Sequence, residues 1–448
     1  MQKKFSIFKV NSFCILLILI GLIYIDSSIF EFIDLLEIPI KDGIFNIIFF
    51  SFVIIFIFVI ITITYKVNVT IPVGTLFKIK FSNIKNVVYV YNMILFICLS
   101  VILYQVFSAN YYNIYLVYVL LLTSHFFALF FSISGTIKFF QWLRIGKEKL
   151  SIIYLISFAS FSLLICLSLL YNISEISGAP LNITTTNYQK TLQTTSYDIP
   201  EIYKFYISTY IFSFCAIWVS TFFLLYDYIS KKPLQFWIIM IIPLILFVLN
   251  LFPTTIIFVV YLISLYPFLF PLYTILSTFA FLIGPIIFSL AIFLMIRNTD
   301  NRIFQNHLLP IAYGLFLIFA STQSNLFSQI LYPPFGLITI LFTGLSLFLM
   351  FLGFYSSSIY ITRNYSLVRT FVNRVYQYEF FKNIAKSELE KEVKTIFNNI
   401  KKDNIFPLAE KENVDEINKE EVTKLIEFVK GELKNKNINK KDSVESSQ

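Results

Sequence analysis

Between Phe8 and Tyr355 the sequence is a succession of long apolar runs joined by short polar connections. Polar residues inside the runs follow neither the 3.6 period that gives a helix one wet face nor the alternation of a half-buried strand. A helix that is apolar all round is buried in a large core or in lipid, and roughly 20 such residues suffice to cross a bilayer. The runs Phe8–Ile25, Ile44–Thr64, Val87–Phe107, Ile114–Ile137, Ile152–Leu170 and Phe205–Leu225 therefore predict membrane spans, as do Leu308–Asn325 and Gly336–Tyr355. Trp237–Ile296 is long enough for two or three crossings. Lys231-Lys232 before it and Arg297 and Arg302 after it place both ends on one side, so an even number is expected. Two crossings fit, near Trp237–Leu251 and Leu272–Ile296, with Thr254–Pro271 as an extension, half-helix or re-entrant piece lined by Pro253, Pro267 and Pro271.

After Ser356-Ser357-Ser358 the pattern changes. Leu367, Phe371, Val375, Tyr378, Phe381 and Ile384, then Leu389, Val393, Ile396 and Ile400, recur at helical spacing among charged residues, which predicts a soluble amphipathic helix. Beyond Lys402 a second, shorter helix is expected near Lys419–Leu433, and the polar end Lys434–Gln448 reads as disordered. The expected organisation is thus a bundle over 1–361 with a polar loop at 172–204, a juxtamembrane helix over 362–402 and a charged tail over 403–448.

Charge sets the orientation. Connections rich in Lys and Arg (Lys66–Lys85, Lys138–Lys149, Lys231-Lys232, Arg297–Arg302, Arg363–Arg374) alternate with connections that lack an excess of them. By the positive-inside rule this gives an all-α polytopic transmembrane helix bundle of about ten spans, both termini cytoplasmic, with a cytoplasmic helical tail. Lys3, Lys4 and Lys9 precede the first run, and Ile25-Asp26-Ser27-Ser28 offers no small-x-small cleavage site, so that run reads as an uncleaved signal anchor. Asp26, Glu31, Asp34, Glu37 and Asp42 read as a solvated outer loop. The longest polar connection between spans, Tyr171–Lys204, is too long for a simple connector and reads as an outer binding loop or a small ordered cap.

Composition agrees. The 448 residues are 57% hydrophobic and only 14% charged, against about 25% charged in soluble proteins. The net charge of +9 sits in loops and tail, where it sets topology, and nucleic acid is excluded as a partner. Cys14, Cys98, Cys166 and Cys215 lie inside apolar runs at unrelated spacings and read as small core residues, neither a disulfide framework nor a metal site.

Candidate chemistry is sparse. Ionisable groups inside spans are the sharpest functional signal in a membrane sequence, and His125 is the one at mid-span. It is a candidate ligand or pathway residue, and the simpler reading is a histidine hydrogen-bonded to a neighbouring helix. His307 reads as interfacial. Asn250, Gln323 and Asn325 could join the Tyr171–Lys204 loop in an outward-facing polar pocket, with an ordinary interfacial helix end as the simpler reading. Arg363, Arg369 and Arg374, with no acidic residue among them, are candidate lipid contacts at the inner leaflet. Asn172-Ile173-Ser174 and Asn182-Ile183-Thr184 match the glycosylation pattern, but so do Asn68-Val69-Thr70 and Asn364-Tyr365-Ser366 on the other side, so the matches say nothing about topology. Phosphate-loop, zinc-protease and nucleophile-elbow motifs are missing from the sequence. No enzymatic activity, cofactor or metal is expected.

Thr322-Gln323-Ser324-Asn325, Tyr332-Pro333-Pro334-Phe335-Gly336-Leu337, Leu352-Gly353-Phe354-Tyr355-Ser356-Ser357 and Glu388-Leu389-Glu390-Lys391-Glu392-Val393 resemble segments of multi-pass membrane proteins of ammonia-oxidising archaea that have no known activity. The resemblance covers about Asn306–Val393 and the short terminal helix. It implies an archaeal plasma membrane and carries over no catalytic residue. The expectation is a membrane protein that binds or senses at its outer face and signals through the tail. A small-solute or lipid transporter and a structural or assembly protein are the alternatives. Its partners would be the bilayer, a cytoplasmic protein on the tail and further copies of the chain in a homo-oligomer.

Overall fold

The structure is a computed structural model that describes residues 12–35, 42–70, 78–145, 149–177, 181–184, 201–229, 233–251, 269–297, 302–322 and 332–363, all within one compact unit, Met1–Ile384. The amphipathic helix expected beyond Arg363, the tail 403–448 and most of Thr254–Pro271 lie outside the described residues.

Ten helices and two short strands make up the described chain: α1 (Ser12–Leu35), α2 (Asp42–Thr70), α3 (Lys78–Ala109), β1 (Tyr111–Asn113), α4 (Ile114–Ile145), α5 (Lys149–Ser177), β2 (Asn182–Thr184), α6 (Glu201–Ile229), α7 (Pro233–Leu251), α8 (Leu269–Arg297), α9 (Arg302–Ser321) and α10 (Leu337–Arg363). Each expected span has most of its length in one of these helices, most of which run past the apolar limits by several residues; positions 8–11 of the first span and 323–325 of the ninth lie outside the described residues. α1 departs most, since it continues through Asp26 to Leu35 where a loop was expected.

Local chemistry explains several ends. α3 stops at Asn110, whose φ of 52° is left-handed, a conformation asparagine tolerates at a helix terminus. Three residues on, the Asn113 Oδ1 accepts from the Tyr115 N–H at 2.8 Å and opens α4. Pro233 begins α7, where a missing N–H costs nothing. Pro243, Pro285 and Pro310 lie inside helices, where each leaves the carbonyl four residues back without its usual donor.

The packing forms a ring with a filled centre. α1 to α6 contact one another in chain order, α8 closes the circle between α6 and α1, and α7 lies against α6 and α8. Inside are α9 and α10, which pack on each other more extensively than any other pair. Burial agrees: 94% of the apolar window in α10 and 83% of that in α9 are buried, against 39–50% in α2 to α6. Phenylalanines fill the interior. Phe354 of α10 packs on Phe139 and Tyr154 at 5.3 and 4.7 Å, Phe348 on Phe131 at 5.2 Å, and Phe342 on Phe56 at 4.9 Å. In α9, Phe319 lies within 6.1 Å of Phe161, Tyr210, Phe214 and Phe288.

The outward face of the ring is greasy. Ile47, Phe50, Ile54, Phe58 and Ile61 of α2 are exposed, as are Val90, Met93, Ile97 and Tyr104 of α3 and Phe126, Phe130, Ile133 and Ile137 of α4. Water would not tolerate so much contiguous apolar surface. Seven helices among the described residues are long and apolar enough to cross a membrane, and α1, α7 and α8 add shorter apolar stretches at Cys14–Asp26, Phe236–Ile245 and Leu282–Arg297. The chain is an all-helical, multi-pass integral membrane protein. The cysteines correct one expectation: Cys98 is buried, but Cys14 and Cys166 sit on the apolar surface and Cys215 is half-buried.

Candidate functional site

The buried polar groups concentrate around α10, and its first turn holds the most organised of them. Tyr332-Pro333-Pro334-Phe335 leads into Gly336, whose φ of 82° suits glycine. A helix starting here has unpaired N–H groups in its first turn, and glycine has no side chain to cap them. Asp26 of α1 supplies the cap. The Gly336 N–H donates to its Oδ1 at 3.1 Å, and the Thr339 N–H and hydroxyl donate to its Oδ2 at 3.0 and 2.7 Å. Asp26 is 2% exposed, and it is the one buried carboxylate among the described residues. Its charge lies at the helix end where the backbone dipoles favour an anion, through charge-assisted bonds stronger than neutral ones.

Neighbouring groups fix the same turn. Phe335 packs edge-on against Phe49 and Phe52 of α2. Tyr332 stacks over Tyr112 of β1 at 6.3 Å and donates its hydroxyl to the Val106 carbonyl at 3.1 Å, which Asn46 Nδ2 also approaches at 3.5 Å. β1 pairs antiparallel with β2, Tyr112 opposite Ile183, so the α3–α4 and α5–α6 connections join at this end of the bundle. Tyr206 of α6 donates to the Thr322 carbonyl at the end of α9.

One to two turns further along α10, α3 and α4 reach its backbone. The Leu341 carbonyl accepts from the Tyr91 hydroxyl at 3.2 Å and from the Ser124 hydroxyl at 3.3 Å, while the Gly344 N–H donates to Ser124 Oγ at 3.2 Å. The approach depends on glycine: a Cβ at 344 would lie 2.6 Å from Tyr91 Oη and 3.0 Å from the Ser124 carbonyl oxygen. Thr343 donates to Ser321 Oγ of α9 at 3.1 Å.

His125, next to Ser124, faces α5. Its Nδ1 lies 2.9 Å from the Leu121 carbonyl and its Nε2 3.2 Å from Ser168 Oγ, and Asn172 Nδ2 donates to Ser168 Oγ at 3.3 Å. His125 is fully buried. It makes the bond to a neighbouring helix that the simpler reading expected. His307 is 3% exposed, and neither ring nitrogen has a hydrogen-bond partner among the described residues. Its ring packs against Tyr360 at 5.0 Å, because Gly353 lets α9 approach α10 closely at that level.

Of the other sequence candidates, Asn250 falls in the last turn of α7 and Arg363 at the last residue of α10. Gln323, Asn325, Arg369 and Arg374 lie outside the described residues. The first sequon asparagine, Asn172, is buried, whereas Asn182 is exposed in β2. Among the described residues no three of His, Cys, Asp and Glu gather as metal ligands would. Sequence reading missed Asp26, taking it as the first residue of a solvated loop. The signal lay in two places: an acid at the edge of an apolar run, and a helix start after Pro333-Pro334 with glycine where a capping side chain belongs. Compared with protein families, with curated proteins and with solved structures, the chain finds no match in any of the three.

Proposed function

We propose that this chain is a ten-crossing plasma-membrane protein, both termini cytoplasmic, in which α10 carries a binding event from the non-cytoplasmic end of the bundle to the tail. The observation that carries this reading is the position of α10. It is the most enclosed helix, its first turn is held by the Asp26 carboxylate, and its last residue, Arg363, begins the basic segment that includes Arg369 and Arg374. For the relay, α10 would have to be a two-position element, bonded to the Asp26 carboxylate or released from it, whose equilibrium is biased from both ends. Alternation of basic connections supports the orientation, and the archaeal membrane follows from the resemblance over Asn306–Val393. The output partner would be a cytoplasmic protein on the tail, the arginines would meet anionic lipid, and association with further copies of the chain fits the broad apolar surface.

The test uses the full chain in lipid nanodiscs. Hydrogen exchange is compared between wild type and Asp26→Asn. Faster exchange over 332–343 together with a change over 364–402 is the expected result. A change confined to 332–343 would show that the release of α10 does not reach the tail, and would end the relay reading.

A second reading, a small-solute or lipid transporter, is favoured by the polar chain of His125, Ser168 and Asn172 inside an otherwise apolar bundle. It predicts solute flux in reconstituted vesicles that survives deletion of Lys402–Gln448 and falls with His125→Ala and Asn250→Leu.

A further inference from the structure

The hydrogen bonds around His125 have a direction fixed by chemistry. A carbonyl oxygen only accepts, so the contact with Leu121 requires the proton of the neutral ring on Nδ1. Nε2 is then the acceptor, and Ser168 must give it its single hydroxyl proton. Ser168 Oγ is left with lone pairs, so Asn172 faces it with the amide nitrogen. The opposite amide rotamer would set a carbonyl oxygen against a hydroxyl whose proton is already committed. Every member of the chain thus forces the next, and the last atom, Asn172 Oδ1, points away as an acceptor. It is buried, in a residue 1% exposed, and has no hydrogen-bond partner among the described residues. An amide carbonyl in that position ordinarily costs a protein a large part of a hydrogen bond.

We infer that Asn172 Oδ1 is the recognition point for a small uncharged ligand that presents an N–H or O–H donor at the seam between α4 and α5. An uncharged ligand fits the walls: α4 from Ile114 to Ile137 and α5 from Leu150 to Ser174 contain no Asp, Glu, Lys or Arg, and the nearest charged residue on α5, Glu175, lies in the turn beyond Asn172, so a charged ligand held between these stretches would lose its hydration without a counter-charge from them. The small size follows from burial, since Ser168, His125 and Asn172 are all nearly or fully enclosed. The site is also wired to the central helix. Ser124 adjoins His125 on α4 and bonds to Leu341 and Gly344 of α10, so a ligand that pulls on Asn172 acts one residue from the contact that holds α10. In this the site deepens the relay reading and rests on it for its consequence, though binding itself does not depend on the relay.

The chain has two histidines, which makes nitrogen-15 histidine labelling a direct probe. Full-length labelled protein in nanodiscs is titrated with acetamide, which has N–H donors, and in parallel with dimethylacetamide, which keeps the carbonyl and lacks them. The expected result is a saturable shift of His125 Nε2 with acetamide, none with dimethylacetamide, and no movement of His307. Asn172→Ala should weaken acetamide binding about three- to tenfold, the worth of one ordinary hydrogen bond. Because the ligand pair is applied to wild-type protein, a variant that fails to fold does not remove the test. Silence toward both amides, or equal shifts with both, would mean that Asn172 meets only water there and would overturn the proposal. A His125 shift, with hydrogen exchange over 364–402 measured on the same acetamide-bound protein and found unchanged, would instead leave the site standing and count against the relay.

Discussion

Replacing Asp26 measures how much of the bundle depends on one carboxylate. In wild type it receives three hydrogen bonds, from two backbone N–H groups and one hydroxyl, while 2% exposed. Asparagine has the same shape but one acceptor oxygen, so its NH₂ must face either Gly336 or Thr339 as donor against donor. Hydrogen bonds to a charged group contribute about 1.5–3 kcal/mol each in net terms, and a favourable charge at a helix end adds up to about 2 kcal/mol. Against this, the neutral side chain escapes the desolvation that a buried carboxylate suffers. The balance predicts a loss of about 2–4 kcal/mol for Asp26→Asn. Asp26→Ala strands all three neutral donors, each left unsatisfied at about 1–3 kcal/mol, and should cost about 3–5 kcal/mol in all. Thr339→Val removes the hydroxyl bond alone, at about 1–2 kcal/mol. Reversible unfolding in mixed micelles of dodecylmaltoside and dodecyl sulfate, followed by circular dichroism, reads all three. The order Ala, Asn, Val in decreasing damage is the expected outcome. An Asp26→Ala chain within about 0.5 kcal/mol of wild type, the range of an ordinary surface change, would refute the claim that this carboxylate holds α10.

Gly344→Ala should destabilise the bundle by about 1–3 kcal/mol in the same assay, because its methyl needs the space of Tyr91 Oη; adding Tyr91→Phe should recover part of the loss. Gly21→Ala, which meets nothing within 4 Å, should stay within about 1 kcal/mol of wild type. Replacing Arg363, Arg369 and Arg374 by Glu should raise the solvent accessibility of spin labels placed over 367–384, since each basic residue near an anionic leaflet contributes about 1 kcal/mol of attraction; unchanged accessibility would mean that lipid charge does not hold the segment.

Helix positions were largely legible because lipid-facing helices are apolar all round, and length alone then separates spans. Their arrangement was not. Hydropathy marks Gly336–Tyr355 and Ile44–Thr64 alike as spans, yet the first becomes the filled centre and the second part of the ring. The difference lies in details that hydropathy averages away: Gly344 and Gly353 admit close neighbours, and Ser346, Ser356 and Ser358 turn their hydroxyls back to their own helix carbonyls at positions 343, 353 and 355. Asp26 was misread because a charge at a run's edge is usually solvated; only the fold shows the uncapped helix end beside it. His125 stood out as a titratable group in mid-span, whereas nothing in the sequence tied Ser168 and Asn172 to it: Ser168 is a common residue, and Asn172 was marked only as a match to the glycosylation pattern. The β1–β2 pair was invisible too, being three residues on each strand and formed across a gap of many residues.

The orientation of the bundle underlies every functional statement made for it, and cysteine labelling in whole cells tests it most directly. Cys14, Cys98, Cys166 and Cys215 are first replaced, and single cysteines are placed at Asn182, exposed in β2, at Arg144 near the end of α4, and at Lys411 in the tail. Asn182 lies at the same end as the start of α10, through the pairing of β2 with β1 and the stacking of Tyr112 on Tyr332. An impermeant maleimide should label the cysteine at 182 in intact cells, and those at 144 and 411 only after the membrane is opened. Labelling at 144 or 411 in intact cells, with 182 silent until permeabilisation, would place the Asp26 cap in the cytoplasm and contradict the account.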